Sequence, residues 1–223
     1  MKRFWLTVIV GVVLFVGWLV LRPTGPEEPS YQGRKLSVWL NVYDSAQANY
    51  QNYQNNEAPK QEAVRAIKQI GTNAIPTLLK WAQTEDSQSI TKLNSWLDKH
   101  HHPNVHFQTA LDARHKAYLG FQKLGNDALP AVPVLIELTE SPEPAQRNSA
   151  LSCLFYIDLE TRVLCPTIVQ LLRSSKGDVR NGAAFYLHFN YPGEAEKAGV
   201  YNMFPDLNRL RTNSVKTNSP TAK

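Results

Sequence analysis

A chain of 223 residues with 43% hydrophobic content has room for one core-bearing domain of moderate size plus additional segments. Its net charge of +5 is mildly basic, which usually means no more than a solvated basic face and makes nucleic acid an unlikely partner. Two cysteines, Cys153 and Cys165, exclude a disulfide scaffold, and no metal-ligand spacing surrounds them.

Lys2 and Arg3 precede residues 4–21, a stretch without a charged side chain that ends at Arg22. As a helix it would span about 27 Å, enough for a bilayer core. Trp5 and Trp18 stand near its ends, where indoles favour the membrane interface. A cleaved signal peptide is the alternative, but its apolar region is normally shorter, and residues 20–24 offer no small-residue cleavage site. The expectation is a single transmembrane helix, an N-terminal anchor over residues 1–22. Its N-terminus is expected in the cytoplasm and the bulk of the chain outside, as a single-pass protein with a periplasmic domain. Arg34 and Lys35 blur the charge asymmetry behind that orientation. Residues 23–35 read as a Pro-rich spacer, because Pro23, Pro26 and Pro29 with Gly25 exclude a helix.

Leu36, Trp39, Leu40, Tyr43 and Ala46 have helical spacing and predict a leading helix from 36 to about 50. The polar run 47–56 reads as a helix end and loop. Pro59 then opens a helix whose inward stripe is Ala63, Ala66, Ile67 and Ile70. Gly71 follows as a C-cap, and Pro76 fits the first turn of the next helix, with Ile75, Leu78, Leu79 and Ala82 inward. An extra inserted helix is predicted over 87–99 from Ile90, Leu93, Trp96 and Leu97, followed by a histidine-rich loop and a helix start near Thr109. The hairpin then recurs with Ala117, Gly120, Phe121 and Leu124 before Gly125. Of the two following prolines, Pro133 matches Pro76, because Ala131-Val-Pro-Val-Leu-Ile136 resembles Ala74-Ile-Pro-Thr-Leu-Leu79. Arg147-Asn-Ser-Ala150 and Arg180-Asn-Gly-Ala183 lead two further units, whose second helices begin at Pro166 and Pro205. Leu151, Leu154, Ala184 and Leu187 face inward. Residues 212–223 hold almost nothing apolar and read as a disordered tail.

Residues 62 to about 210 resemble HEAT-like, armadillo-type repeat proteins, the alpha-solenoids of stacked antiparallel helix pairs. The resemblance is carried by Ala131-Val-Pro-Val-Leu-Ile136 and by Asp178-Val-Arg-Asn-Gly-Ala-Ala184. The latter is similar to the family's Asp-x-Val-Arg-x-x-Ala-Ala pattern, although Asp178 directly precedes Val179. The resemblance implies an Asp–Arg ladder between adjacent repeats; Asp178 after Gly177 would also serve as an N-cap. More narrowly, the plan is similar to bacterial membrane-anchored HEAT-repeat proteins in its N-terminal anchor, Tyr31-Gln-Gly-Arg-Lys-Leu-Ser-Val-Trp-Leu40, long first gap and Glu196-Lys-Ala-Gly-Val200. That likeness implies fold and topology and no activity. The expected fold is all-α: an alpha-solenoid of about four HEAT-like hairpins over residues 36–211, preceded by the single transmembrane helix.

Chemistry is sparse. His100, His101, His102 and His106 invite a metal, but Pro103 breaks the local helix and no Cys or carboxylate completes a tetrahedral set, so a solvated loop is expected. His106-Phe107 would tuck back on the inserted helix. Cys153 and Cys165 flank a turn expected at 158–161, leaving a disulfide or two buried thiols open. Asp44, Glu62, Asp112 and Glu137 read as solvated helix-face carboxylates. No phosphate loop, nucleophile elbow or zinc helix is present. No catalytic, cofactor-binding or metal residue is therefore assigned, and no cofactor. The expected function is a membrane-tethered scaffold that binds a protein partner without catalysis. The alternative is a solenoid enzyme or nucleic-acid-binding module, base glycosylase-like or pigment-lyase-like. That alternative wants exposed stacking aromatics, whereas Trp39, Trp81 and Trp96 fall on apolar stripes and are expected in the core.

Overall fold

Apart from one small β-hairpin the described chain is helical; the structure, a computed structural model, describes residues 27–48, 53–85, 87–100 and 107–217. The anchor expected over 1–22 lies outside these residues, and among them no helix is long and apolar enough to cross a membrane.

Of the spacer expected over 23–35, residues 23–26 lie outside the described residues, and the first described element corrects it over 30–35. Strand β1 (Ser30–Tyr31) pairs antiparallel with β2 (Arg34–Lys35), Ser30 opposite Lys35 and Tyr31 opposite Arg34. Gln32 and Gly33 both have positive φ, 51° and 73°, as a two-residue hairpin turn with the right twist requires. The hairpin is fastened to helix α1 (Leu36–Ala48). The Leu36 N–H donates to the Pro29 carbonyl at 2.9 Å, and the Trp39 indole N–H donates to the Tyr31 carbonyl at 3.2 Å. The Glu28 carboxylate accepts from the Ser37 N–H, in the first turn of α1 where helix amides lack partners. The folded body therefore reaches back at least to Glu28, because prolines that forbid a helix do not forbid a strand edge.

Leu36, Trp39, Leu40 and Tyr43 are buried and pack α1 against α2 (Tyr53–Ile70), where Ala63, Ala66, Ile67 and Ile70 are buried as the stripe predicts. Helix α2 starts six residues before Pro59, not at it. Pro59 cannot donate to the carbonyl one turn back, yet the helix runs through it. Gly71 turns the chain at φ +59°, and a 3-10 segment (Gly71–Ala74) leads into α3 (Ile75–Ala82), with Pro76 in its first turn. The same construction recurs further on. Helix α4 (Gln88–Lys99) is the inserted helix, and α5 (Ala110–Leu124) ends at Gly125, φ +60°. A 3-10 segment (Gly125–Ala131) holds Pro130, and α6 (Val132–Leu138) carries Pro133 in its first turn, in register with Pro76.

Helices α7 (Pro144–Thr161), α8 (Cys165–Leu171) and α9 (Gly177–Asn190) continue the alternation. Neighbours pack in chain order, α3 on α5, α5 on α7 and α7 on α9, around one continuous apolar core. At Gly120, α5 comes close to α3: a Cβ there would lie 2.4 Å from Leu78 Cδ2.

Equivalent arginines stitch these layers. Arg147 donates to the Ser141 and Pro142 carbonyls at 2.8 Å, capping the chain that leaves α6. Arg180, thirty-three residues on, donates to the Ser174 carbonyl at 2.8 Å in the same way after α8. Arg114, thirty-three residues before Arg147, reaches the Thr84 carbonyl at 3.4 Å after α3. Asp178 does not cap α9, whose N-cap position is Lys176. Its carboxylate instead binds the Arg147 guanidinium of the preceding layer, at 2.8 Å to Nε and 2.7 Å to a terminal nitrogen.

Short helices α10 (Pro192–Lys197) and α11 (Val200–Met203) follow, then α12 (Pro205–Thr217). The boundary expected at 211 falls inside α12, so residues 212–217 are helical where a disordered tail was expected. Pro205 starts this helix as it should, and Arg211 ties it back, pairing with Glu196 at 3.1 Å and lying 4.7 Å from the Tyr201 ring centroid. A run with almost nothing apolar suits a helix as well as a tail.

Candidate functional site

The most developed polar cluster lies where α1, α5 and α7 meet. Asp44 shares a side of α1 with Leu40 and Asn41, one turn apart, and faces α5 there. Asp44 Oδ1 is 3.1 Å from His115 Nε2, and His115 Nδ1 is hydrogen-bonded to the Tyr118 hydroxyl one turn further along α5. The Tyr118 ring stacks on Tyr156 of α7, with centroids 4.6 Å apart. Burial first, then Tyr156, Asp44 and Cys153, push the Tyr118 phenol above its ordinary value, so it keeps its proton and donates to Nδ1. Asp44, a carboxylate that can only accept, takes its hydrogen bond from Nε2–H. The Asp44 and His115 end of this chain borders a cavity of about 270 Å³ that also meets Lys116 and Phe107. Asp112 lines it too, but its carboxylate is engaged in a capping box, accepting from the Thr109 N–H at 2.9 Å and the Thr109 hydroxyl at 2.7 Å. Asp44 and Asp112, expected as plain solvated carboxylates, thus both have specific partners. Glu137 is exposed as expected, and so is Glu62.

The inserted helix is linked to this cavity through Phe107. Ser87 caps α4, and Asn94, almost fully buried, grips the chain at Phe107. Its amide donates to the Phe107 carbonyl at 2.8 Å, and its oxygen accepts the Phe107 N–H at 2.9 Å. The chain does tuck back on α4 at Phe107, but through backbone rather than ring. Leu97 is buried, whereas Leu93, Trp96, Phe107 and Leu111 are exposed, Trp96 by 52% and Leu111 by 69%. Trp96 therefore corrects the expectation of a core indole. It stacks on His100 at 4.4 Å, and His100 Nδ1–H donates to the Trp96 carbonyl at 2.8 Å. Trp39 is in the core and Trp81 is half-buried. His101, His102 and His106 lie outside the described residues, among which no group of three metal-ligating side chains occurs.

A third cluster went unseen in the sequence. Asp158, fully buried near the end of α7, accepts from the Leu164 N–H at 2.7 Å, the Tyr186 hydroxyl at 2.9 Å and the Tyr191 hydroxyl at 2.7 Å. Burial and then Asp158 raise the Tyr186 phenol and push Tyr191 up to about 12, so both remain donors at neutral pH. The chain reverses beside it through Arg162, a left-handed residue at φ 59° whose N–H donates to the Asp158 carbonyl at 2.7 Å. The one sequence signal was a carboxylate next to the buried stripe Leu151, Leu154, Ile157, at a helix C-terminus that disfavours negative charge. With every oxygen satisfied, this group is a lock between the α7–α8 turn and α9. The two cysteines are free thiols, each pushed up chiefly by burial. Cys153 lies five residues before Asp158 on α7, about 7.5 Å along the axis from the turn that Cys165 adjoins.

Comparison of the chain with protein-family models, curated proteins and solved structures gives no significant match.

Proposed function

We propose that the chain is a membrane-tethered HEAT-repeat scaffold that binds a protein partner, its solenoid domain held outside the cytoplasm by an anchor over residues 1–22. The observation that carries this reading is the arginine register. Arg114, Arg147 and Arg180 recur at thirty-three residues, and each reaches carbonyls at the end of the preceding second helix. Layers joined by the same contact stack with a repeated geometry, and stacked layers present an extended surface suited to a polypeptide. Exposed Leu93, Trp96, Phe107 and Leu111 supply the apolar anchors that protein interfaces use, beside the polar Asp44–His115 edge.

Affinity capture of the tagged full chain from detergent extract, with Trp96→Ala and Leu93→Ser in parallel, tests the proposal. The expected result is a reproducible protein partner retained by the unaltered chain and reduced at least about tenfold by the variants. Salt-sensitive recovery of nucleic acid instead would overturn it. Protease shaving of intact spheroplasts tests the topology; a fully protected domain would refute the outward orientation.

A further inference from the structure

We infer that the face formed by the β-hairpin and α3 rests on the bilayer and contacts anionic lipid headgroups. This rests on the anchor proposed above, and the tether length decides it. Six residues separate Leu21, the end of the uncharged stretch, from Glu28, which the fold holds through Ser37. Fully extended, that interval reaches no more than about 25 Å, and the headgroup layer takes up roughly 5–7 Å of it. Had the fold begun at Leu36, the reach would have been about 50 Å. A folded body of this size is more than about 30 Å across, so the longer tether would let it turn freely and the shorter one does not.

The surface around the tether has the composition such a position requires. A cavity of about 490 Å³ lies between the hairpin and α3, lined by Glu27, Ser30, Lys35, Lys80 and Trp81 among others. Lys35 and Lys80 are exposed, as is the neighbouring Arg34, which also covers the Trp39 ring at 5.0 Å. Trp81 is half-buried. Of the two acidic residues at the rim, Glu28 is turned inward onto the Ser37 amide. Three cations and an indole edge next to an obligatory membrane approach match the interfacial zone, where ammonium groups meet phosphates and indoles settle among headgroups.

The test reconstitutes the full chain into phosphatidylcholine vesicles, with and without phosphatidylglycerol, containing a trace of lipid that carries a photoreactive headgroup. Cross-linked peptides are mapped by mass spectrometry. Cross-links are expected in residues 33–35 and 80–81 as well as in 1–26, stronger with phosphatidylglycerol. Lys35→Glu with Lys80→Glu should lower the body cross-links about fivefold or more while leaving those in 1–26 intact. Cross-links confined to 1–26 would overturn the headgroup contact and leave the anchor standing. Body cross-links indifferent to lipid charge and to the double variant would overturn it as well. Absence of cross-links in 1–26 would remove the anchor and this inference together.

Discussion

Arg147 and Asp178, thirty-one residues apart, join two successive helix layers through a 2.7 Å ion pair while the same guanidinium caps two carbonyls of the chain leaving α6. One side chain thus carries both the end of one hairpin and the seam to the next. In the preceding seam the position equivalent to Asp178 is Ala145.

Arg147→Ala should therefore cost about 2–3 kcal/mol in urea unfolding, since it removes charge-assisted bonds on both sides of the seam. Asp178→Asn should cost about 1 kcal/mol, because only the charge of one partly exposed partner is lost. The Arg147 hydrogen bond, ahead of the smaller effects, holds the Asp178 carboxyl below the usual carboxylate range. A depressed folded value means that the contribution is complete above the unfolded value near 4 and disappears as pH falls through the folded one. Acid titrations of stability should diverge between the native chain and Asp178→Asn in neutral buffer and converge below that window. Parallel curves at every pH would count against the pair.

Removing the buried Asp158 carboxylate strands an amide and two phenols at once. Asp158→Ala should cost about 4 kcal/mol or more, and Asp158→Asn roughly half as much, because the amide oxygen can still accept from the two phenols while the amide nitrogen cannot accept from Leu164. The alkaline side follows from Tyr191, whose folded value near 12 stands above the ordinary 10. A raised folded value stabilises below pH 10, and that stabilisation is lost as pH climbs from 10 towards 12. Ultraviolet titration should find phenols that ionise only as the fold opens. Ionisation of every tyrosine near pH 10 with the fold intact would refute the lock.

At Gly120 an added methyl meets a fully buried leucine. Gly120→Ala is expected to destabilise by about 1–3 kcal/mol, and Leu78→Val in the same chain to recover part of it. Gly177→Ala makes the control, with its nearest new contact at an ordinary 3.9 Å from a terminal nitrogen of Arg180. Additive effects at positions 120 and 78 would show that the close approach is not what glycine serves there.

Asn94→Ala releases Phe107 and with it the closure of the inserted segment. Helix α4 buries only Asn94 and Leu97, so the change should act locally. Limited proteolysis between residues 100 and 107 should accelerate about tenfold or more, while the midpoint of global unfolding moves by no more than a few degrees. An unaltered cleavage rate would mean that Asn94 does not hold the loop.

Much of the local structure was legible in the residues. Apolar stripes at helical spacing placed α1 to α3 and α5, Thr109 marked the start of α5, and Pro133 rather than Pro130 proved the partner of Pro76. These signals are short-range, since a helix face, a cap and a proline-led first turn are written within a few residues. The misjudged stretches had ambiguous local chemistry. The prolines before Tyr31 allow a spacer or a strand edge, and the polar run after Leu210 allows a tail or a solvated helix.

The seam between Gly71 and Pro76 was determined by the sequence alone: only glycine takes its left-handed turn without strain, and proline suits the helix start that follows. Pairings across layers were decided by the tertiary structure. Asp44 meets His115 across seventy-one residues, and Asp158 meets Tyr186 and Tyr191 across twenty-eight and thirty-three. Trp96, with the stripe spacing of a core residue, faces solvent because no helix packs over that side of α4 among the described residues. Spacing along a chain tells which residues share a face; what covers the face depends on where distant helices come to rest.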